Sequence, residues 1–130
     1  MILGIGIDII EIERIAKAIE RRGNTFISRL FTINEQLSKK PINNTAVASD
    51  YLSIHYAGRF AAKEAVVKAF GTGFRGIDWK DIEILNDPLG KPLVRLADHI
   101  AERFNNPTLL ISISHSKNTA CAFCLWQDLR

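Results

Sequence analysis

Little in this sequence invites covalent cross-linking or insertion into a membrane. Only two cysteines occur in 130 residues, too few for a disulfide scaffold. Cys121 and Cys124 share a strand-like run, where residues three apart point to opposite faces. Neither a local disulfide nor chelation of a shared metal fits that spacing, so both are expected as buried thiols in a reducing compartment. No apolar run approaches the ~20 residues that a membrane helix needs. The run Ile2–Ile10 is interrupted by Asp8, has no basic stretch before it and no small-residue cleavage site after it. It therefore reads as a buried strand rather than a signal segment, and a cytoplasmic location is expected.

The common phosphate and nucleophile motifs are also missing. There is no Walker A sequence, and Gly4-Ile5-Gly6-Ile7-Asp8 lacks the third glycine and the βαβ unit of a dinucleotide fingerprint. Ser112-Ile113-Ser114-His115-Ser116 lacks the glycine elbow of a hydrolase serine. His55 and His99 carry no further signal, and neither internal repeats nor low-complexity tracts occur.

What is present supports a folded core. Hydrophobic residues make up 47% of the chain, which disfavours global disorder, and the length suits one domain over residues 1–130. The net charge of +3 suggests an anionic partner without saying which.

Ile2–Ile10 alternates as a strand, with Leu3, Ile5, Ile7 and Ile9 on one face and Gly4, Gly6 and Asp8 on the other. Glycine in a strand marks close approach of a backbone or a ligand. Glu11–Arg22 has helical spacing of Ile12, Ile15, Ala16 and Ile19 and ends at Gly23-Asn24. Phe26–Leu37 reads as a short irregular helix, and the polar Ser38–Asp50 segment, with Pro41 and Asn43-Asn44, as a long loop. Ser53–Phe70 is the strongest helix, and Gly71-Thr72-Gly73 stops it. Asp81–Asn86 and Lys91–Arg95 read as strands around Asp87-Pro88-Leu89-Gly90, and Ala97–Phe104 as a short helix. Thr108–Ser114 and Thr119–Trp126 read as a hairpin around His115–Asn118. This order predicts an α+β fold, a largely antiparallel sheet packed with helices.

The helix from Arg59 to Phe70 is apolar around nearly its whole circumference, yet carries Glu64 and Lys68 at i and i+4. A charge against an apolar surface must be paired or must bind something. A mutual Glu64–Lys68 ion pair is one outcome. The other is a carboxylate aimed at a cation and an amine aimed at a phosphate. Asp8, on the glycine face of its strand, can be a cap for the helix starting near Glu11. It can also be the second carboxylate of a magnesium site, since magnesium takes one or two protein carboxylates and completes its shell with water and substrate phosphates. Gly71 and Gly73 serve as a plain C-cap or let backbone approach a ligand. Arg14, Lys17 and Arg21 form one basic stripe opposite Ile12, Ile15 and Ile19, partly balanced by Glu13 and Glu20. It is either a solvated face or a dock for an acidic partner.

Three stretches together carry a family resemblance: Gly4-Ile5-Gly6-Ile7-Asp8 through Ile15, Gly58-Arg59-Phe60-Ala61-Ala62-Lys63-Glu64 through Ala69 with Gly71-Thr72-Gly73, and Ser112-Ile113-Ser114-His115-Ser116. Phe31-Thr32 with Glu35, and Gly90-Lys91-Pro92, fit as well. In this order they resemble the holo-[acyl-carrier-protein] synthases, the small phosphopantetheinyl transferases of fatty acid synthesis. Only Ser38–Asp50 fits poorly, as a lengthened loop.

The resemblance implies the phosphopantetheinyl transferase fold and transfer of 4′-phosphopantetheine from coenzyme A to a serine of apo acyl carrier protein. Adenosine 3′,5′-bisphosphate would leave. It implies Asp8 and Glu64 as magnesium ligands, Asp8, Glu64, Lys68 and His115 as catalytic residues, and Lys68, His115, Gly71 and Gly73 beside coenzyme A. It further implies a homotrimer with coenzyme A between subunits, and gives the stripe Arg14, Lys17 and Arg21 an acidic carrier protein as partner. For the serine proton, Glu64, a metal-bound water and His115 all remain open as acceptors. Two rival functions are a magnesium phosphohydrolase using the same carboxylates and a nucleic-acid-binding module. The second leaves Asp8 with Glu64 unexplained, and neither a nucleic acid nor a membrane is expected as partner.

Overall fold

Helix α3 (Thr45–Phe70) lies across a three-stranded antiparallel sheet of order β1-β5-β4, built from β1 (Ile2–Glu11), β4 (Thr108–His115) and β5 (Thr119–Gln127). A second sheet is the hairpin of β2 (Ile82–Asn86) and β3 (Pro92–Leu96). The remaining helices are α1 (Ile12–Arg22), α2 (Asn24–Leu30) and α4 (Asp98–Arg103), with short 3₁₀ turns at Ile33–Glu35 and Trp79–Asp81. The structure is a computed structural model that describes residues 1–37 and 45–129. Of the Ser38–Asp50 segment expected to be a loop, residues 45–50 are the start of α3, and residues 38–44 lie outside the described residues.

The faces of β1 are arranged the opposite way from a simple hydrophobic rule. Ile5, Ile7 and Ile9 are 61%, 62% and 68% exposed, while Gly6 is buried. The glycines face inward because α3 lies against them backbone to backbone. A Cβ on Gly6 would stand 2.0 Å from the Ala65 carbonyl oxygen, and one on Gly4 would stand 2.0 Å from that of Ala69. Expectation and structure differ here: the chain does not itself bury the isoleucine face.

The core sits on the glycine side. Ala57, Ala61, Ala62, Ala65 and Val66 of α3 are fully buried, as are Ala120, Ala122 and Cys124 of β5. Small side chains on both elements allow the close approach. Ile12 and Ile15 bury the inner face of α1, and Gly23, at φ 54°, ends it with a bond from its N–H to the Ile19 carbonyl. The β2–β3 turn is closed by Asp87, whose Oδ1 accepts from Leu89 N and Lys91 N, and by Gly90 at φ 91°. Both cysteines are free thiols, and burial pushes that of Cys124 up to about 12. Among the described residues no helix is long and apolar enough to cross a membrane.

Candidate active site

The cluster begins where β1 passes under α3. Asp8 pairs in register with Ala122 of β5, which pairs with Ile113 of β4, so all three side chains share the helix face of the sheet. The close packing at Gly6 brings the following residue of that face, Asp8, beside the last third of α3. Its side chain is 15% exposed.

Lys68 answers Asp8 rather than Glu64. Its Nζ donates to Asp8 Oδ1 at 3.0 Å and to the Ile7 carbonyl at 3.0 Å. Asp8 therefore does not cap α1; the residue at that position is Glu11, whose side chain makes no capping bond. Glu64, half-buried on the same side of α3, has its carboxyl pushed above the ordinary glutamate value by burial and then by the Asp8 charge, with Lys68 opposing. Two carboxylates thus share a site that one ammonium only partly neutralises. Among the described residues no three His, Cys, Asp or Glu side chains converge on one point. Two carboxylates short of positive charge are nevertheless the donor set that suits magnesium completing its shell with substrate oxygens.

Gly71 and Gly73 follow within a turn. Gly71 N bonds to the Lys68 carbonyl at 3.0 Å, and Thr72 N and Gly73 N both reach Val67 O at 3.3 Å, so this segment does cap α3. Both glycines have positive φ, and a Cβ on either would meet no atom within 4 Å. The open space leaves their backbone accessible.

His115 is elsewhere. It lies at the exposed end of β4 and lines a cleft of about 350 Å³ with His55, Gly58, Arg59, Asn86 and Ile113. Gly58 and Glu64 are six residues apart on α3, or about 9 Å along its axis. Within one chain, then, Asp8, Glu64 and Lys68 come together and His115 does not join them. The cleft contains two residues that pattern reasoning passed over. Arg59 donates to Asn86 Oδ1 and to the His55 carbonyl at 3.5 Å, and its buried Nε has no partner among the described residues. His55 is held neutral, its pKa lowered to about 4 by burial and by Arg59, with its Nε2 on the Glu35 carbonyl at 2.7 Å. Arg59 lay inside the quoted helix motif, but nothing in the local spacing joins it to Asn86 or His115.

The basic stripe on α1 is exposed as its spacing predicts, although Lys17 is engaged by Glu13 at 3.3 Å.

Comparison with known proteins gives a consistent result. The family model of the 4′-phosphopantetheinyl transferase superfamily matches residues 4–124. A curated holo-[acyl-carrier-protein] synthase of Protochlamydia amoebophila (strain UWE25) is 54% identical over 129 residues, covering 98% of this chain and 100% of its own. That of Alkaliphilus oremlandii (strain OhILAs) is 51% identical over 125 residues, covering 94% and 96%. Among solved structures, the holo-(acyl-carrier-protein) synthase from Bacillus anthracis str. Ames in complex with CoA (3′,5′-ADP) aligns with a TM-score of 0.75 at 40% identity, covering 97% of this chain and 96% of that one. The Helicobacter pylori enzyme in complex with coenzyme A aligns with a TM-score of 0.79 at 33% identity, covering 95% and 99%.

Proposed function

The chain belongs to the 4′-phosphopantetheinyl transferase superfamily, within its holo-[acyl-carrier-protein] synthase family, and from that premise we propose how its residues carry out the transfer. The substrates are coenzyme A and apo acyl carrier protein, and the reaction belongs to fatty acid biosynthesis. The carrier serine oxygen forms a bond to the phosphorus that bears pantetheine. The bridging P–O bond to the nucleotide half breaks, and adenosine 3′,5′-bisphosphate leaves.

Asp8 and Glu64 would hold the magnesium. When bound, the ion supplies positive charge to the pyrophosphate oxygens and offsets the charge that builds on them. Lys68 contributes a second positive charge from the helix, its half-exposed ammonium free to turn from Asp8 toward a phosphate. The carboxylates of this cluster and the water around them offer acceptors for the serine proton. Most of the rate comes from positioning and electrostatics, as in other phosphoryl transfers.

The second cleft enters through assembly. The isoleucine face of β1 continues across the sheet through Phe123, 39% exposed, and Leu110, 48% exposed. A patch of that size on a small domain calls for a partner, and a homotrimer would cover it. Coenzyme A would then lie between subunits, with Asp8, Glu64, Lys68 and the Gly71–Gly73 segment from one and Arg59, Asn86 and His115 from its neighbour. The Arg59 guanidinium, in the same cleft as His115, suits a further phosphate of coenzyme A. Two free thiols agree with a cytoplasmic enzyme.

The observation that carries this proposal is the convergence of Asp8, Glu64 and Lys68 at the β1–α3 crossing. The deciding experiment incubates the protein with apo carrier protein, coenzyme A and magnesium and weighs the carrier by mass spectrometry. A phosphopantetheine mass gain that disappears with chelator is expected. Coenzyme A cleavage without a carrier protein would instead favour a phosphohydrolase.

A further inference from the structure

Directly before Glu64 in sequence, and turned away from the site, Lys63 is fully buried. Its ammonium donates to the Leu30 carbonyl at 2.7 Å, to Glu35 Oε1 at 2.7 Å and to the Trp79 carbonyl at 3.0 Å, which uses all three of its protons. Glu35, 2% exposed, also accepts from Thr32 N and Ile84 N, each at 2.9 Å. Beside it Glu83 accepts from Thr32 Oγ1 at 2.5 Å and Asn34 Nδ2 at 3.2 Å. The proposed chemistry uses none of these groups.

A buried ion pair is a poor stabiliser, because desolvation cancels much of its attraction and an apolar pair of similar volume often does as well. An apolar pair lacks direction. The three bonds from Lys63 reach the end of α2, the 33–35 turn and the 79–81 turn, and so fix the rotation of α3 about its axis. Across the helix, Gly4 and Gly6 set its distance from β1. Consecutive helical residues are about 100° apart, so the direction of Lys63 dictates that of Glu64.

We infer that Lys63 and Glu35 are positioning residues for the active site: their buried pair fixes the rotation of α3 so that Glu64 faces Asp8. The inference rests on the metal-and-phosphate site proposed above. It predicts that the pair governs metal affinity and turnover independently of its effect on stability.

The test compares the full-length wild type with Lys63→Met, the double variant Glu35→Gln/Lys63→Met, and Asp8→Asn. Lys63→Met alone leaves a buried carboxylate unpaired, which is strongly destabilising. In the double variant the glutamine oxygen keeps the bond from Ile84 N, its amide in place of Oε1 gives up that from Thr32 N and turns toward the carbonyls Lys63 leaves, and the methionine fills the lysine volume. Manganese binding in the presence of coenzyme A is followed by EPR of the free ion, alongside kinetics and near-UV circular dichroism.

The folded double variant is expected to bind manganese on the order of 10–100-fold more weakly and to lose kcat over the same range. KM for coenzyme A should stay within about twofold. Wild-type affinity and kcat in the folded double variant would overturn the inference, as would a loss of kcat that vanishes when assays run further below Tm. If Asp8→Asn leaves manganese binding unchanged, the site itself is wrong and the inference falls with it. Binding that depends on Asp8 but not on the pair refutes only the inference.

Discussion

The ammonium of Lys68 on α3 lies 3.0 Å from Asp8 Oδ1 on β1, sixty residues away in sequence, and donates to the Ile7 carbonyl as well. The lysine thereby offsets part of the repulsion between Asp8 and Glu64.

Replacing Lys68 should separate chemistry from folding. The side chain is 50% exposed, so Lys68→Ala should change stability by no more than about 1 kcal/mol. Removing a charge aimed at the transition state typically costs about 10²–10³ in kcat. Thermal melts and steady-state kinetics on one preparation check both figures.

Glu64 makes stability pH-dependent in a defined direction. Its carboxyl binds a proton more tightly in the folded state than in the unfolded chain, so the native state gains protons relative to the unfolded one. The contribution of Glu64 to stability should fall as pH rises upward from the ordinary glutamate value of 4.5 through the raised folded value, and comparison with Glu64→Gln isolates it from the opposite trend of His55. Glu64→Gln removes that cost. Its Tm should exceed that of the wild type at pH 7, and the gap should close as pH drops below 4.5. Magnesium chloride should raise the Tm of the wild type more than that of the variant. Transfer activity of Glu64→Gln should be abolished.

Gly6 tolerates no side chain. A Cβ would need to clear the Ala65 carbonyl and the Lys68 Cβ, at 2.0 and 2.9 Å. Gly6→Ala should therefore cost about 2–4 kcal/mol by urea melt. It should also lower transfer by displacing α3 from Asp8.

Assembly can be broken by a side chain on the outer face of β1, which leaves the Ile7 carbonyl to Lys68. Ile7→Glu places a charge in the middle of the exposed apolar face and should convert the proposed trimer to monomers in sedimentation velocity, with loss of transfer. Cys121 shares that face, pairing in register with Ile9. In the monomeric variant one thiol should react with Ellman's reagent, while Cys124, buried with a pKa of about 12, stays slow.

The α1 stripe should act on association. Arg14→Glu is expected to raise KM for the acidic carrier protein about tenfold at low salt with little change in kcat, and the effect should shrink as salt increases. Lys17→Ala should do less, because Glu13 already engages Lys17. Unchanged carrier use by Arg14→Glu at low salt would remove the stripe as the dock.

Local order in the chain was legible from periodicity and turn chemistry. The boundaries of β1, α1, the two hairpins and α4 fall within about two residues of their expected positions, because isoleucine alternation, helical spacing and Asp87-Pro88-Leu89-Gly90 are local signals. The start of α3 was missed because polar residues in the Ser38–Asp50 segment resemble a loop.

The sequence by itself determined the elements and the chemical identities of the site: two carboxylates and a lysine held against glycine and alanine. Tertiary structure decided which of them meet. Alternation in β1 shows that its faces differ but not which one receives α3. Backbone-to-backbone packing selected the glycines, leaving the isoleucines outward. The i, i+4 rule offers Lys68 only Glu64, whereas the crossing strand offers a carboxylate and a carbonyl together. Lys63 found its partner in Glu35, 28 residues away, because a buried ammonium must satisfy three protons wherever the fold places acceptors. Such choices depend on long-range geometry, which no local window of residues contains.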